Sequence, residues 1–143
     1  MAVVKTWLVD TGPLVAYLDA DDPGHSEVVA CLDDFAGQLA TTGAVITEAM
    51  HFVSTGKEGP RLLAEFVVTS RTEVYELCRP PELLEAALLM QKYADTPMDF
   101  ADATLVLLAE ALDVRDILTL DRRGFSTYRT RRRRGLRLVL DTV

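Results

Sequence analysis

Five acidic residues carry the chemistry that this sequence suggests. Asp99 and Asp102 stand three apart near the head of an apolar stretch running from Thr96 to Leu112. On a helix that spacing puts both carboxylates on one face. Asp102 lies between Ala101 and Ala103, where an unpaired carboxylate is costly unless a cation or hydrogen-bond donors meet it. Asp10 closes the apolar run Trp7-Leu8-Val9, Asp121 closes the run from Asp116 to Leu120, and Glu48 sits within Ala44 to Ser54. Like charges brought together cannot all stay ionised without a cation. Carboxylate oxygens suit hard divalent ions such as Mg²⁺. Two such ions about 3.5–4 Å apart clamp the attacking and leaving oxygens of a cleaved phosphodiester. The set therefore asks for metal-dependent phosphoryl transfer. Only His25 and His51 are present, so metal-free phosphodiester cleavage by paired histidines has little support.

Each acid also has a plainer reading. Thr96 and Asp99 match a capping box with Pro97 in the first helical position, and an acid near a helix start gains from the macrodipole. Asp10 before Thr11-Gly12-Pro13 suits a turn. Glu48 suits a solvated helix face, and Asp121, before two arginines, a surface turn. It is the joint placement of the acids that favours a site.

The elements that must position them follow from apolar periodicity and breakers. Strands are expected at Trp7–Val9, Gln38–Thr42, Thr72–Leu77, Asp116–Leu120 and Leu136–Leu140. Helices are expected at Pro13–Leu18, His25–Phe35, Ala44–Ser54, from Pro60 through Val67, from Pro80 to Tyr93, and from Thr96 to Leu112. On the third of these, Val45, Ile46, Ala49, Phe52 and Val53 form the apolar side. Phe125 to Arg129 reads as irregular or extended. Strands alternating with helices argue an α/β fold with a mostly parallel sheet and right-handed crossovers. Sites in such sheets form beyond the carboxyl ends of the strands, which is where Asp10 and Asp121 fall.

At 143 residues the expectation is one domain spanning 1–143. Hydrophobic content of 49% and charged content of 26% fit a globular chain, with no apolar run long enough to span a bilayer and no visible signal peptide. Cys31 and Cys78 have no metal-type spacing, and both read as reduced thiols packed like small apolar residues in a cytoplasmic protein. The net charge of −7 is unevenly spread: residues 129–143 hold six arginines and one acid, whereas residues 1–128 hold nine basic and 21 acidic residues. An acidic body with a basic C-terminal segment is not a general nucleic-acid binder. The arginines at 129 and 131–134 suit a solvated loop, a contact with RNA phosphates, or a contact with an acidic partner.

Four pieces of the chain, in order, are Val9-Asp10-Thr11-Gly12-Pro13-Leu14-Val15-Ala16, Thr47-Glu48, Asp99-Phe100-Ala101-Asp102-Ala103, and Leu118-Thr119-Leu120-Asp121-Arg122-Arg123-Gly124-Phe125. Together they resemble the PIN domain, and closely the ribonuclease toxins of VapBC-type toxin–antitoxin pairs. The resemblance implies a three-layer α/β/α sandwich around a sheet of about five strands. It implies a Mg²⁺- or Mn²⁺-dependent endoribonuclease, a homodimer, and neutralisation by a small antitoxin. Asp10, Glu48, Asp102 and Asp121 match the family's acidic positions; Asp10 and Asp102 would be the main metal ligands, completed by Glu48 and Asp121, with Asp99 an extra. Thr11 and Thr119 would hold a water or phosphate, and Arg131, Arg132, Arg133 and Arg134 would meet the substrate. Cleavage by in-line attack of water would leave 5′-phosphate and 3′-hydroxyl ends. Gly124 departs from the family, where a polar residue often precedes the phenylalanine.

Other readings compete. A PIN-fold module that binds RNA or a partner without cutting is one, and a nuclease acting on DNA or structured nucleic acid is another. Glu48-Ala49-Met50-His51 has the Glu-x-x-His spacing of di-iron bundles but no second copy, so His51 reads as packed or surface. Asp10-Thr11-Gly12 lacks the second acid of a phosphoaspartyl nucleophile. A receiver-type domain would need a late lysine, and the last is Lys92.

Overall fold

The computed structural model describes residues 4–141. Five strands form one all-parallel sheet: β1 (Thr6–Val9), β2 (Gln38–Thr42), β3 (Glu73–Tyr75), β4 (Asp116–Leu118) and β5 (Arg137–Leu138), in the order β3-β2-β1-β4-β5. The helices among the described residues are α1 (Thr11–Leu18), α2 (His25–Asp33), α3 (Gly43–Val53), α4 (Gly59–Ser70), α5 (Pro80–Lys92), α6 (Phe100–Leu112) and α7 (Arg122–Thr127). Right-handed crossovers place α1 to α4 on one face, because the chain moves outward from β1 through β2 to β3. The return from β3 to β4 puts α5 and α6 on the other. The result is three layers, and β1 is central, with Leu8 and Val9 fully buried. No described helix is long and apolar enough to cross a membrane.

Helix α6 is the buried helix that its composition predicts: Ala101 and every residue from Ala103 to Ala109 are buried. Its start differs from expectation. Asp99, not Thr96, is the N-cap, and Asp102 is its capping-box partner rather than a residue beyond the cap. The Asp99 carboxylate accepts from Asp102 N–H at 2.8 Å and the Asp102 carboxylate from Asp99 N–H at 3.2 Å. Upstream, the Tyr128 hydroxyl donates to the Pro97 carbonyl at 2.7 Å and Met98 is buried, so a tertiary contact holds the segment that local signals assign to the helix.

Two further expectations at the C-terminal end are corrected. Residues 122–127 are helical, because Asp121 caps α7 by accepting from Gly124 N–H at 3.0 Å. The last strand is only Arg137–Leu138, and Val139–Asp141 turns into a 3₁₀ helix. Cys31 is half-buried as a packed thiol would be, but Cys78 is exposed.

Candidate active site

The sheet order reverses between β1 and β4, the switch point where parallel sheets open a crevice beyond the strand ends. Asp10 follows β1 there and is nine-tenths buried, at 7% exposure. Its backbone extends the β1–β4 pairing, with Asp10 N–H donating to the Leu118 carbonyl at 3.0 Å. One carboxylate oxygen accepts from Thr11 N–H and the other from the Thr119 hydroxyl, both at 2.8 Å. Thr119 also accepts from Asp121 N–H at 3.0 Å, so one hydroxyl fixes two acids.

The remaining acids arrive on helices. Glu48 stands on the second turn of α3, and Asp99 and Asp102 on the first turn of α6. Hydroxyls lock these two helices together. Thr42 caps α3 by accepting from Val45 N–H at 3.2 Å and lies 2.8 Å from the Thr104 hydroxyl. Thr104 gives its proton to the Ala101 carbonyl at 2.7 Å, so Thr42 is the donor between the two. A further clasp, Thr41 hydroxyl to Val9 carbonyl at 2.7 Å, ties β2 to β1 beside Asp10.

Asp10, Glu48, Asp99, Asp102 and Asp121 line one cleft of about 520 Å³ together with Thr11, Asp22, Phe52 and Leu120. It contains Asp10, Asp22, Glu48, Asp99, Asp102 and Asp121, and no Lys, Arg or His. Uncompensated charge shows in the titration. Burial raises Asp10 to about 6, moderated by its bonds to Thr119 and Thr11. Burial, then the charges of Asp10 and Asp99, raises Asp102 to about 8. Burial also raises Glu48, with Asp99 adding to the shift. The Tyr128 phenol behind the site is pushed up by burial and by the charges of Asp102, Asp121, Asp99 and Asp10.

The Thr11 hydroxyl is the one buried side-chain polar atom among the described residues without a well-formed hydrogen bond. It lies close enough to Glu48 to favour that carboxylate's charge. As the side chains stand, no three of the described carboxylate, imidazole or thiol groups converge tightly enough to enclose a metal ion. Existing hydrogen bonds account for this: Asp99 and Asp102 face each other's backbone, and Asp121 faces its own helix.

The acids expected from sequence thus meet in one cleft, with Thr11 on its wall and Thr119 behind Asp10. The arginines do not join them. Arg131 binds Glu110 and Glu85, and Arg134 binds Asp113, so the basic run docks at the C-terminal end of α6, about 20 Å from its first turn. Arg132 and Arg133 have no ion-pair partner among the described residues. Two wall residues were missed. Phe52, assigned to the apolar side of α3, is 53% exposed on the cleft. Asp22, from the acidic loop after α1, also reaches it; an Asp-rich loop was the only sequence signal.

Comparison with known proteins bears on the fold and the family. No family model matches the chain. It is 36% identical over 124 residues to Ribonuclease VapC26 of Mycobacterium tuberculosis (strain ATCC 25618 / H37Rv), covering 85% of this chain and 91% of that protein. The crystal structure of M. tuberculosis VapC20, a Sarcin-Ricin loop cleaving toxin, superposes with a TM-score of 0.73 at 16% identity, over 80% of this chain and 89% of that one. FitAB bound to an IR36 DNA fragment superposes at 0.66 and 15% identity, over 93% of this chain and 94% of that one. Rickettsia felis VapBC2, bound to a fragment of its promoter, superposes at 0.58 and 15% identity, over 93% and 96%. These structures share the fold, and the extended likeness to VapC26 settles kinship: the chain belongs to the VapC family of PIN-domain ribonucleases.

Proposed function

We propose that the chain is a divalent-metal-dependent endoribonuclease working through the carboxylate cleft at the β1–β4 switch point. The observation that carries this reading is the lining, six carboxylates with no cationic side chain. An all-oxygen donor set fits Mg²⁺ or Mn²⁺. The Thr11 hydroxyl, on the cleft wall beside Glu48, adds one more oxygen to that donor set. Asp10 and Asp102 would be the principal ligands, with Asp121, Asp99 and Glu48 completing the shell directly or through water. Once bound, the ion would neutralise the cluster and polarise the phosphoryl oxygens. Thr119 and Thr11 N–H hold the Asp10 carboxylate in one orientation before substrate arrives. Glu48, its carboxyl raised by burial, suits a group that takes a proton during in-line attack by water.

RNA is the proposed substrate, single-stranded or tRNA-like. By likeness to the FitAB and VapBC2 complexes, the proposed partner is a cognate antitoxin, and the proposed assembly is a homodimer of the single 1–143 domain in the cytoplasm. A second reading, a module that holds RNA or a partner without cutting, draws on the spread of the carboxylates, no three of which yet enclose an ion. One experiment separates the two. Purified protein is incubated with an end-labelled RNA pool in Mg²⁺, Mn²⁺ or EDTA, beside Asp10→Asn and Asp102→Asn. Cleavage that needs metal and vanishes in both variants is the expected result. A folded, antitoxin-free chain that cuts in no metal would leave the non-cleaving module.

A further inference from the structure

A second depression adjoins the catalytic cleft, and the two share a wall. It encloses about 660 Å³ between the first turns of α3 and α6 and the segment after β3. Glu48 and Asp99 line both spaces. Ala44, Phe100 and Ala101 give it apolar surface, while Thr47, His51 and Glu76 supply polar groups and Cys78 a thiol. Neither space is lined by Lys or Arg.

The composition bears on how a polynucleotide would be held. Grooves that grip the backbone do so with cationic side chains, and none is present on either side of this wall. What the depression offers is an aromatic ring beside short-range donors and acceptors, the means by which proteins hold an unstacked base. The Thr47 hydroxyl gives its proton to the Gly43 carbonyl at 2.9 Å, which leaves its oxygen free to accept. Gly43 matters as well: a Cβ there would come within 2.2 Å of Glu76 Oε1, so glycine lets that carboxylate lie against the start of α3.

We propose that this depression seats the base of the nucleotide next to the scissile phosphate, with Phe100 as the stacking face and Thr47 and His51 selecting the base. The assignment rests on the ribonuclease reading above. The phosphate lies on the carboxylate side of the Glu48–Asp99 wall, and the neighbouring base lies on the other. Recognition is then carried by base contacts rather than by ion pairs with the backbone.

The test uses Thr47→Trp, which fills the depression from an exposed helix position, and His51→Ala. Each is compared with the wild type in Mn²⁺ on a randomised single-stranded oligoribonucleotide pool, with the cut ends sequenced. KM and kcat are then measured on one oligonucleotide that the wild type cuts. Thr47→Trp is expected to raise KM about tenfold or more and to flatten base preference at one position beside the cut. Its kcat should stay within about twofold of the wild type. His51→Ala should alter preference at that same position. In a Cys31→Ser background, the oligonucleotide should also slow alkylation of Cys78. Unchanged KM and base preference in both variants, at wild-type melting temperature, would overturn the subsite while leaving the ribonuclease in place. Altered oligomeric mass with an unchanged base profile would overturn it too, assigning the depression to a second copy of the chain. A wild type that cuts no RNA would bring down the ribonuclease reading and the subsite with it.

Discussion

At the scale of single residues, Thr119 and Gly124 decide how the acids stand. Thr119 donates to Asp10 and accepts from Asp121 N–H, so Thr119→Val releases both while leaving the β4 backbone intact. Loss of a donor raises a buried carboxylate further, because the charged form loses its support. The acidic limb of a pH–activity profile should therefore move to higher pH in this variant. Gly124 explains the one departure from the family pattern. A Cβ here would lie 2.4 Å from Asp121 Oδ2 and 3.0 Å from the Tyr128 hydroxyl. Gly124→Ala should displace the Asp121 carboxylate and lower kcat/KM by about tenfold or more in a folded protein. The strand-end acids were legible in sequence because each directly follows an apolar run. Phe52 was not: it stands beside Val45 and Ala49 on the helical wheel, and periodicity cannot say which edge of an apolar stripe faces a cleft.

At the scale of elements, the start of α6 joins folding and chemistry in one pair of side chains. Asp99 and Asp102 complete a capping box while lining the cleft. The two roles separate on substitution. Asparagine caps about as well as aspartate, whereas Asp99→Ala should cost about 1 kcal/mol of stability in a denaturation experiment. Asp99→Asn should keep that stability and weaken Mn²⁺ binding by calorimetry if Asp99 is a ligand; unchanged affinity would leave it as a cap alone. Most element types were legible because apolar period and breakers agree. The start of α6 was not, since Tyr128 holding the Pro97 carbonyl is a contact between segments far apart in sequence. Helix α7 was missed because its cap, Asp121, also reads as the end of a strand.

At the scale of the whole molecule, stability, pH and cation binding are linked. Asp10 and Asp102 are raised by burial to about 6 and about 8, above their values in an unfolded chain. Between about pH 4 and pH 8 the ion-free folded state therefore binds more protons than the unfolded state, and its stability falls as pH rises. The melting temperature in EDTA should decline across this window. Mn²⁺ should restore it, with a larger gain near pH 8 than near pH 5, because cation binding displaces the same protons. A melting temperature insensitive to Mn²⁺ at both pH values would count against a metal site. The arginine run belongs to this scale too. Its ion pairs with Glu85, Glu110 and Asp113 fasten the 129–134 loop to α5 and α6, so Arg131→Ala should lower the melting temperature and leave KM for RNA unchanged.

The central place of β1 has a consequence for the order in which the protein can become active. Asp10 is made well before its Thr119 partner, which follows 109 residues later, and Asp121 comes later still. A nascent chain that has not yet released β4 carries Glu48 on α3 and Asp10 after β1 without the hydroxyl that orients Asp10. On the proposed mechanism such a chain should be inactive while ribosomal and messenger RNA surround it. Stalled chains ending before Asp116 should cut no RNA, and extension through Phe125 should be the earliest point at which cleavage begins.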